Sequence, residues 1–174
     1  ALPDFTDTIL PIENPTLVAE IKTKANGRII IGMIGLETHK GIIDMARLAI
    51  KADSSLYYFV FCGYYDETYL AYCENDEERD FFVSFQNNLP ENCLWNIRYL
   101  KDEQEYNAIF NTFDIIYMVY KNHYTSSNRL TKAAVFHKLV LAQNIHCVGE
   151  NVTKYNLGET AMSGNIEEQL QQLE

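Results

Sequence analysis

Residues 28–35 (RIIIGMIG) are apolar at nearly every position and stop at a glycine, after which Ile42, Ile43, Met45, Ala46, Ala49 and Ile50 recur at helical spacing. A strand apolar on both sides is covered on both sides, which predicts a parallel sheet between two layers of helices. The alternation then repeats. Residues 56–62 stop at Gly63 and precede a predicted helix over 75–88, in which Phe81, Phe82 and Phe85 follow an acidic first turn. Further strands are expected at 94–100, 114–119 and 138–142, with a last β-like stretch at 159–162. Helices are expected at 103–111, 127–136 and 165–173. Repeated β-α units of this length give an α/β, Rossmann-like parallel sheet with helices on both faces.

Residues 1–27 hold three of the four prolines and end in Asn26-Gly27, so they read as an extended lead-in with one helical turn near 17–24. The compact domain is expected over 28–174. A chain of 174 residues with 47% apolar content buries enough surface to fold without disulfides or structural metal. Cys62, Cys73, Cys93 and Cys147 form no C-x-x-C pair, and buried free thiols in a reducing, cytoplasmic setting are expected. No run reaches the roughly 20 apolar residues of a membrane span, and the first residues lack the basic-then-apolar order of a signal peptide.

The net charge of −10 argues against general binding to duplex nucleic acid or to an anionic membrane. The acidity is uneven. Residues 66–80 carry seven acidic side chains, expected to form a solvated face, whereas residues 115–149 have none and hold Lys121, Arg129, Lys132, Lys138, His123, His137 and His146. A positive island in an acidic domain suits an anionic ligand. Within it Tyr124, Thr125, Ser126, Ser127 and Asn128 follow a strand and open a helix. They could cap that helix, or leave its N–H groups for a phosphate flanked by Lys121, Arg129 and Lys132. The second candidate is the loop 35–41 (GLETHKG), where Gly35 permits close backbone approach and Lys40 brings a mobile charge, although an ordinary turn explains it equally.

Several chemistries are disfavoured. The sequence has no Walker A motif, G-x-G-x-x-G fingerprint, G-x-S-x-G elbow or H-x-x-x-H metal pair. His39 and His123 are the histidines placed near the expected site.

The order IIIGMIGLETHKGI, YYFVFCG, NIRYL, FDIIYMVY, HYTSSNRLTKAAVFHKLVLA and YNLGE resembles the C-terminal, donor-binding half of a GT-B glycosyltransferase, most like family 4, over residues 28–174. The resemblance implies a domain that takes a nucleoside diphosphate sugar for transfer to a glycan or lipid-linked acceptor. A nucleotide- or phosphosugar-binding module without turnover is the alternative. It puts Gly35, Lys40, Ser126, Ser127, Asn128, Arg129 and Lys132 at the diphosphate, with His39, His123 and Tyr124 on the sugar side. It implies no metal and no cofactor beyond the nucleotide-sugar substrate. It also implies a role in polysaccharide biosynthesis and a missing N-terminal acceptor-binding half, joined through residues 1–27, that would make any membrane contact. The chain departs from the family in having Leu36 where an Arg commonly follows the glycine. Tyr124 and Lys132 stand where the family has paired glutamates.

Overall fold

A computed structural model describes residues 6–174. Six parallel strands, β1 (Ile29–Ile34), β2 (Tyr57–Gly63), β3 (Cys93–Ile97), β4 (Ile115–Met118), β5 (Leu139–Gln143) and β6 (Gly158–Ala161), form one sheet in the order β3-β2-β1-β4-β5-β6. The chain runs outward from β1 to β3, then returns to lay β4 against β1. The loops leaving β1 and β4 therefore diverge and open a crevice at their carboxyl ends, which is where ligands bind in open α/β sheets.

Strand alternation divides the core in two. Ile30, Ile34, Tyr58, Val60 and Ile116 pack on one face with α1 (Thr16–Ala25), α4 (Glu103–Phe110), α5 (Asn128–Val135) and α6 (His146–Tyr155). Ile31, Met33, Phe59, Phe61 and Tyr117 pack on the other with α2 (Ile42–Lys51), α3 (Asp76–Asn87) and α7 (Ile166–Gln171). The fully apolar strands are thus explained by helices on both sides. Gly32 falls on the first face, where a Cβ would stand 2.2 Å from the Phe113 ring. That ring occupies the space a larger residue would need.

Helix ends follow local chemistry. Asn75, Asp102 and Asn165 accept from the N–H of Glu78, Glu105 and Glu168, so α3, α4 and α7 begin beside the side chains that satisfy their free donors.

Several expectations change. The lead-in contains a ten-residue helix, α1, whose Leu17, Val18, Ile21 and Ala25 are buried in the first core. The packed unit therefore begins before residue 28. Pro11 precedes this helix and Pro15 sits at its N-cap, while Pro3 lies outside the described residues. Helix α6 was not expected. Its Gly149 packs against the end of β5, where a Cβ would meet the Gln143 carbonyl at 2.5 Å. Strand β3 ends at Ile97 rather than at 100, since its partner strand ends at Gly63. The acidic stretch 66–80 is split between a 3-10 helix, Glu67–Tyr72, and the start of α3, and it is not wholly solvated. Glu78 is buried and paired with Lys121 at 2.8 Å. All four cysteines are free, as expected, but only Cys62 and Cys93 are buried. Burial pushes both of those thiols up to about 12.

Candidate functional site

The loop after β1 turns at Gly35 with a positive φ of 80°, passes through a 3-10 turn, Thr38–Lys40, and ends at Gly41, φ 81°. A Cβ on Gly41 would lie 2.1 Å from the Val119 carbonyl, so this loop rests directly on the end of the β4 segment. Glycine is needed at both places. The contact brings the β1 loop against the segment leading into α5.

Between them lies a cleft of about 490 Å³. His39, Lys40, His123, Ser126, Ser127, Asn128, Arg129 and Lys132 all line it, together with Glu103, Tyr106 and Tyr120. Gly35 is at its Arg129 end, where a Cβ would fall 2.7 Å from Arg129 Nη2 and 3.4 Å from Lys40 Nζ. Tyr124, expected on the sugar side, is not among the lining residues. It is 65% exposed and packs on His146 with ring centroids 4.3 Å apart.

The positive island separates into unlike parts once the chain is folded. Lys121 is neutralised by Glu78 and Glu74, and Lys138 lies just before β5, at the opposite end of the sheet from the cleft. Lys132 lines the cleft but is only 3% exposed, and its ammonium donates to Glu103, to Asn107 and to the Asp7 carbonyl. Its three N–H donors are committed within the protein. This corrects the expectation of a free phosphate-binding lysine at that position.

Arg129 differs from the others. It is 9% exposed, and no described carboxylate forms an ion pair with it. Its polar contact is a 3.4 Å bond from Nη1 to the Tyr120 hydroxyl. A buried guanidinium without a counter-ion is costly, and the cost is relieved by an anion. Lys40 stands alongside. Burial, and then the Arg129 charge, hold its amine below the ordinary lysine range, against the pull of Glu37, to which it donates at 2.7 Å. Burial pushes the Glu37 carboxyl up, but the bond and charge of Lys40 outweigh it and leave it below its ordinary value. Burial likewise lowers His39, against the neighbouring Glu37 carboxylate at 3.2 Å.

The start of α5 is open. Ser127 occupies the N-cap position but its side chain makes no capping bond, and the first turn has no acidic residue. The Leu130 N–H bonds the Ser127 carbonyl at 3.0 Å, while the N–H groups of Asn128 and Arg129 have no backbone acceptor. Capping was one reading of these hydroxyls; Ser127 makes no such bond, so the first N–H groups of α5 are left without a protein partner. The cleft thus combines a guanidinium, an ammonium and a helix N-terminus converging beside Gly35. Leu36 is buried in the second core, and the guanidinium near the glycine comes from α5 instead. Glu103, Tyr106 and Tyr120 were missed as site residues. Glu103 and Tyr106 come from α4, which had no motif pointing to the cleft.

Among the described residues no group of three or more His, Cys, Asp or Glu side chains is arranged to hold a metal ion, and no helix is long and apolar enough to cross a membrane.

No family model matches the sequence, and no characterised protein matches it at the sequence level. Solved structures do match. The C-terminal domain of a glycosyl transferase group 1 family protein, LpcC, from Francisella tularensis aligns with a TM-score of 0.68 at 15% identity, covering 95% of this chain and 83% of that one. Sucrose-phosphate synthase from Thermosynechococcus elongatus aligns at 0.63 and 12%, covering 89% of this chain and 38% of that one. HepE from Anabaena, solved in complex with UDP and glucose, aligns at 0.63 and 11%, covering 91% and 42%. The chain has the fold of a GT-B glycosyltransferase C-terminal domain. It spans about four-tenths of the two longer chains.

Proposed function

We propose that this chain is the donor-binding half of a glycosyltransferase, similar to family 4, that holds a nucleoside diphosphate sugar for transfer to a glycan or lipid-linked acceptor. The observation that carries the reading is Arg129, a buried cation without an ion-pair partner, set beside Lys40, Gly35 and an uncapped helix start at the sheet's switch point. A diphosphate supplies the missing negative charge. During transfer the bond between the sugar's anomeric carbon and the phosphate oxygen breaks, and charge grows on the leaving diphosphate. Arg129, Lys40 and the Asn128 and Arg129 N–H groups are fixed where that charge develops. The acceptor oxygen takes the vacated bond to the anomeric carbon, and its proton passes to the departing diphosphate. Donor binding through cations and N–H groups calls for no divalent ion.

An acceptor site belongs to an N-terminal half, joined to this domain through the segment that precedes α1, and any membrane contact would be made there. We place the whole enzyme in the cytoplasm, in polysaccharide biosynthesis. A second reading, binding without turnover, is favoured by one observation: Lys132 and Tyr124 replace the family's glutamates, and the carboxylate that does line the cleft, Glu103, is tied to Lys132.

Titration with UDP, GDP and ADP in the presence of EDTA tests the shared part of both readings. Micromolar to submillimolar binding of one of them supports it, and absence of binding by all three removes it. Slow hydrolysis of the corresponding nucleotide-sugar, lost in Lys40→Ala, separates transfer from binding alone.

A further inference from the structure

Two buried polar side chains hold the segment of chain ahead of α1. The Asp7 carbonyl accepts from Lys132 Nζ at 2.9 Å, and the Ile9 carbonyl accepts from Asn107 Nδ2 at 3.0 Å. Asn107 comes from α4 and Lys132 from α5, and the lysine also donates to the Asn107 side chain, so the pair forms one clasp. Between the two bonded carbonyls the Asp7 carboxylate accepts from the Ile9 N–H at 2.8 Å, which closes the turn that presents them.

The segment's own side chains add little to this hold. Ile9 is 61% exposed and Leu10 45%, and the Thr6 hydroxyl is buried with no partner among the described residues. Docking rests on hydrogen bonds to backbone carbonyls rather than on an apolar contact, which is the character of a segment that opens locally at small cost.

Lys132 faces both ways. It lines the Arg129 cleft, and its three N–H donors are shared among the Asp7 carbonyl, Asn107 and Glu103. Asn107 is fixed in the interior and Glu103 carries the opposite charge, so the Asp7 carbonyl is the neutral acceptor on a loosely held segment. A phosphate oxygen is a stronger acceptor for an ammonium than a carbonyl is.

We propose that residues 6–9 form an inhibitory strap: docked, they occupy a donor of Lys132 that a diphosphate in the Arg129 cleft would otherwise receive, and a bound diphosphate releases them in return. This regulation rests on the reading of that cleft as the diphosphate seat. The coupling is reciprocal, so whatever draws the strap away tightens diphosphate binding by the factor with which diphosphate loosens the strap. Asn107 positions the strap and touches no diphosphate.

The test uses the full chain and Ile9→Pro. That substitution leaves the charge unchanged, removes the N–H that closes the strap's turn and lies outside the core. UDP, GDP and ADP are titrated into both by calorimetry with EDTA present, with and without Lys132→Met. Ile9→Pro should bind whichever diphosphate binds about threefold to tenfold more tightly, and Lys132→Met should erase that gain. A second readout needs no variant: in the wild-type chain, saturating diphosphate should speed amide hydrogen exchange at Ile9 by a similar factor. Equal affinity of the wild type and Ile9→Pro, a gain that survives Lys132→Met, or exchange that diphosphate leaves unchanged or slows would each overturn the strap while leaving the diphosphate seat standing. Failure of every chain to bind any of the three diphosphates overturns both.

Discussion

Arg129→Met should separate stability from binding. The side chain is 9% exposed, has one neutral hydrogen bond at 3.4 Å, forms no described ion pair, and adds to the unfavourable setting of the neighbouring Lys40 ammonium. Replacing a buried charge that has no bonded carboxylate by an apolar side chain of similar length should change the stability of the free protein by no more than about 1 kcal/mol, since the favourable field of Tyr120, Tyr106 and Glu37 offsets the burial cost. The same change removes charge-assisted bonds to a diphosphate, at a cost of about 1.5 to 3 kcal/mol, or roughly 10- to 150-fold in affinity. Denaturant unfolding with and without ligand reads both effects. At a ligand concentration 100 times its dissociation constant, the wild type gains about 2.7 kcal/mol. A variant binding about 30-fold more weakly gains only about 0.9 kcal/mol at that concentration. Without ligand the unfolding free energy should stay within that limit at constant slope. If Arg129→Met instead unfolds more readily by more than about 1 kcal/mol and binds diphosphate as well as the wild type, Arg129 is a packing residue and the argument from its missing counter-ion fails.

Lys132→Met should behave in the opposite way: it strands the buried Asn107 oxygen, while Glu103 is open to water, lowering unfolding free energy by about 1 to 3 kcal/mol and changing diphosphate affinity less than Arg129→Met does. Affinity should also fall at alkaline pH before an ordinary lysine would titrate. Burial and Arg129 hold Lys40 below 10.5, so the free fold disfavours the charged amine. Its own stability therefore rises as pH climbs from the depressed value to the unfolded one, whereas anion binding, which needs the proton, weakens over that window. Calorimetry across pH 7 to 10 checks this, and a flat profile would remove Lys40 from the diphosphate. Gly32→Ala, whose Cβ would meet the Phe113 ring at 2.2 Å, should cost about 1 to 3 kcal/mol in thermal or denaturant unfolding without altering the cleft's residues. An unchanged unfolding midpoint would show that the ring moves aside freely.

Much of the architecture was determined by the sequence alone, because the signals are local. The unbroken apolar run through Ile30, Ile31, Met33 and Ile34, and glycines at the strand ends, specify a sheet covered on both faces. Asn75, Asp102 and Asn165 mark helix starts through bonds spanning three residues. The two loops that line the cleft were legible for the same reason, and the structure brings Lys40, Ser127, Asn128 and Arg129 together there. Helix α6 was hidden because it carries a glycine, Gly149, whose place inside a helix is explained only by its close packing against the end of β5.

What only the tertiary structure decided was which of the island's charges are available. Lys121 meets Glu78 across 43 residues and Lys132 meets Glu103 across 29, so a stretch without acids in sequence is neutralised from elsewhere in space. Arg129 keeps no bonded carboxylate because helix α5 aims it under Gly35, where Tyr120 and Tyr106 and, at longer range, Glu37 favour its charge. Charge in a sequence is a property of residues; the field in a cleft is a property of distances, and those exist only after the strands have brought their loops together.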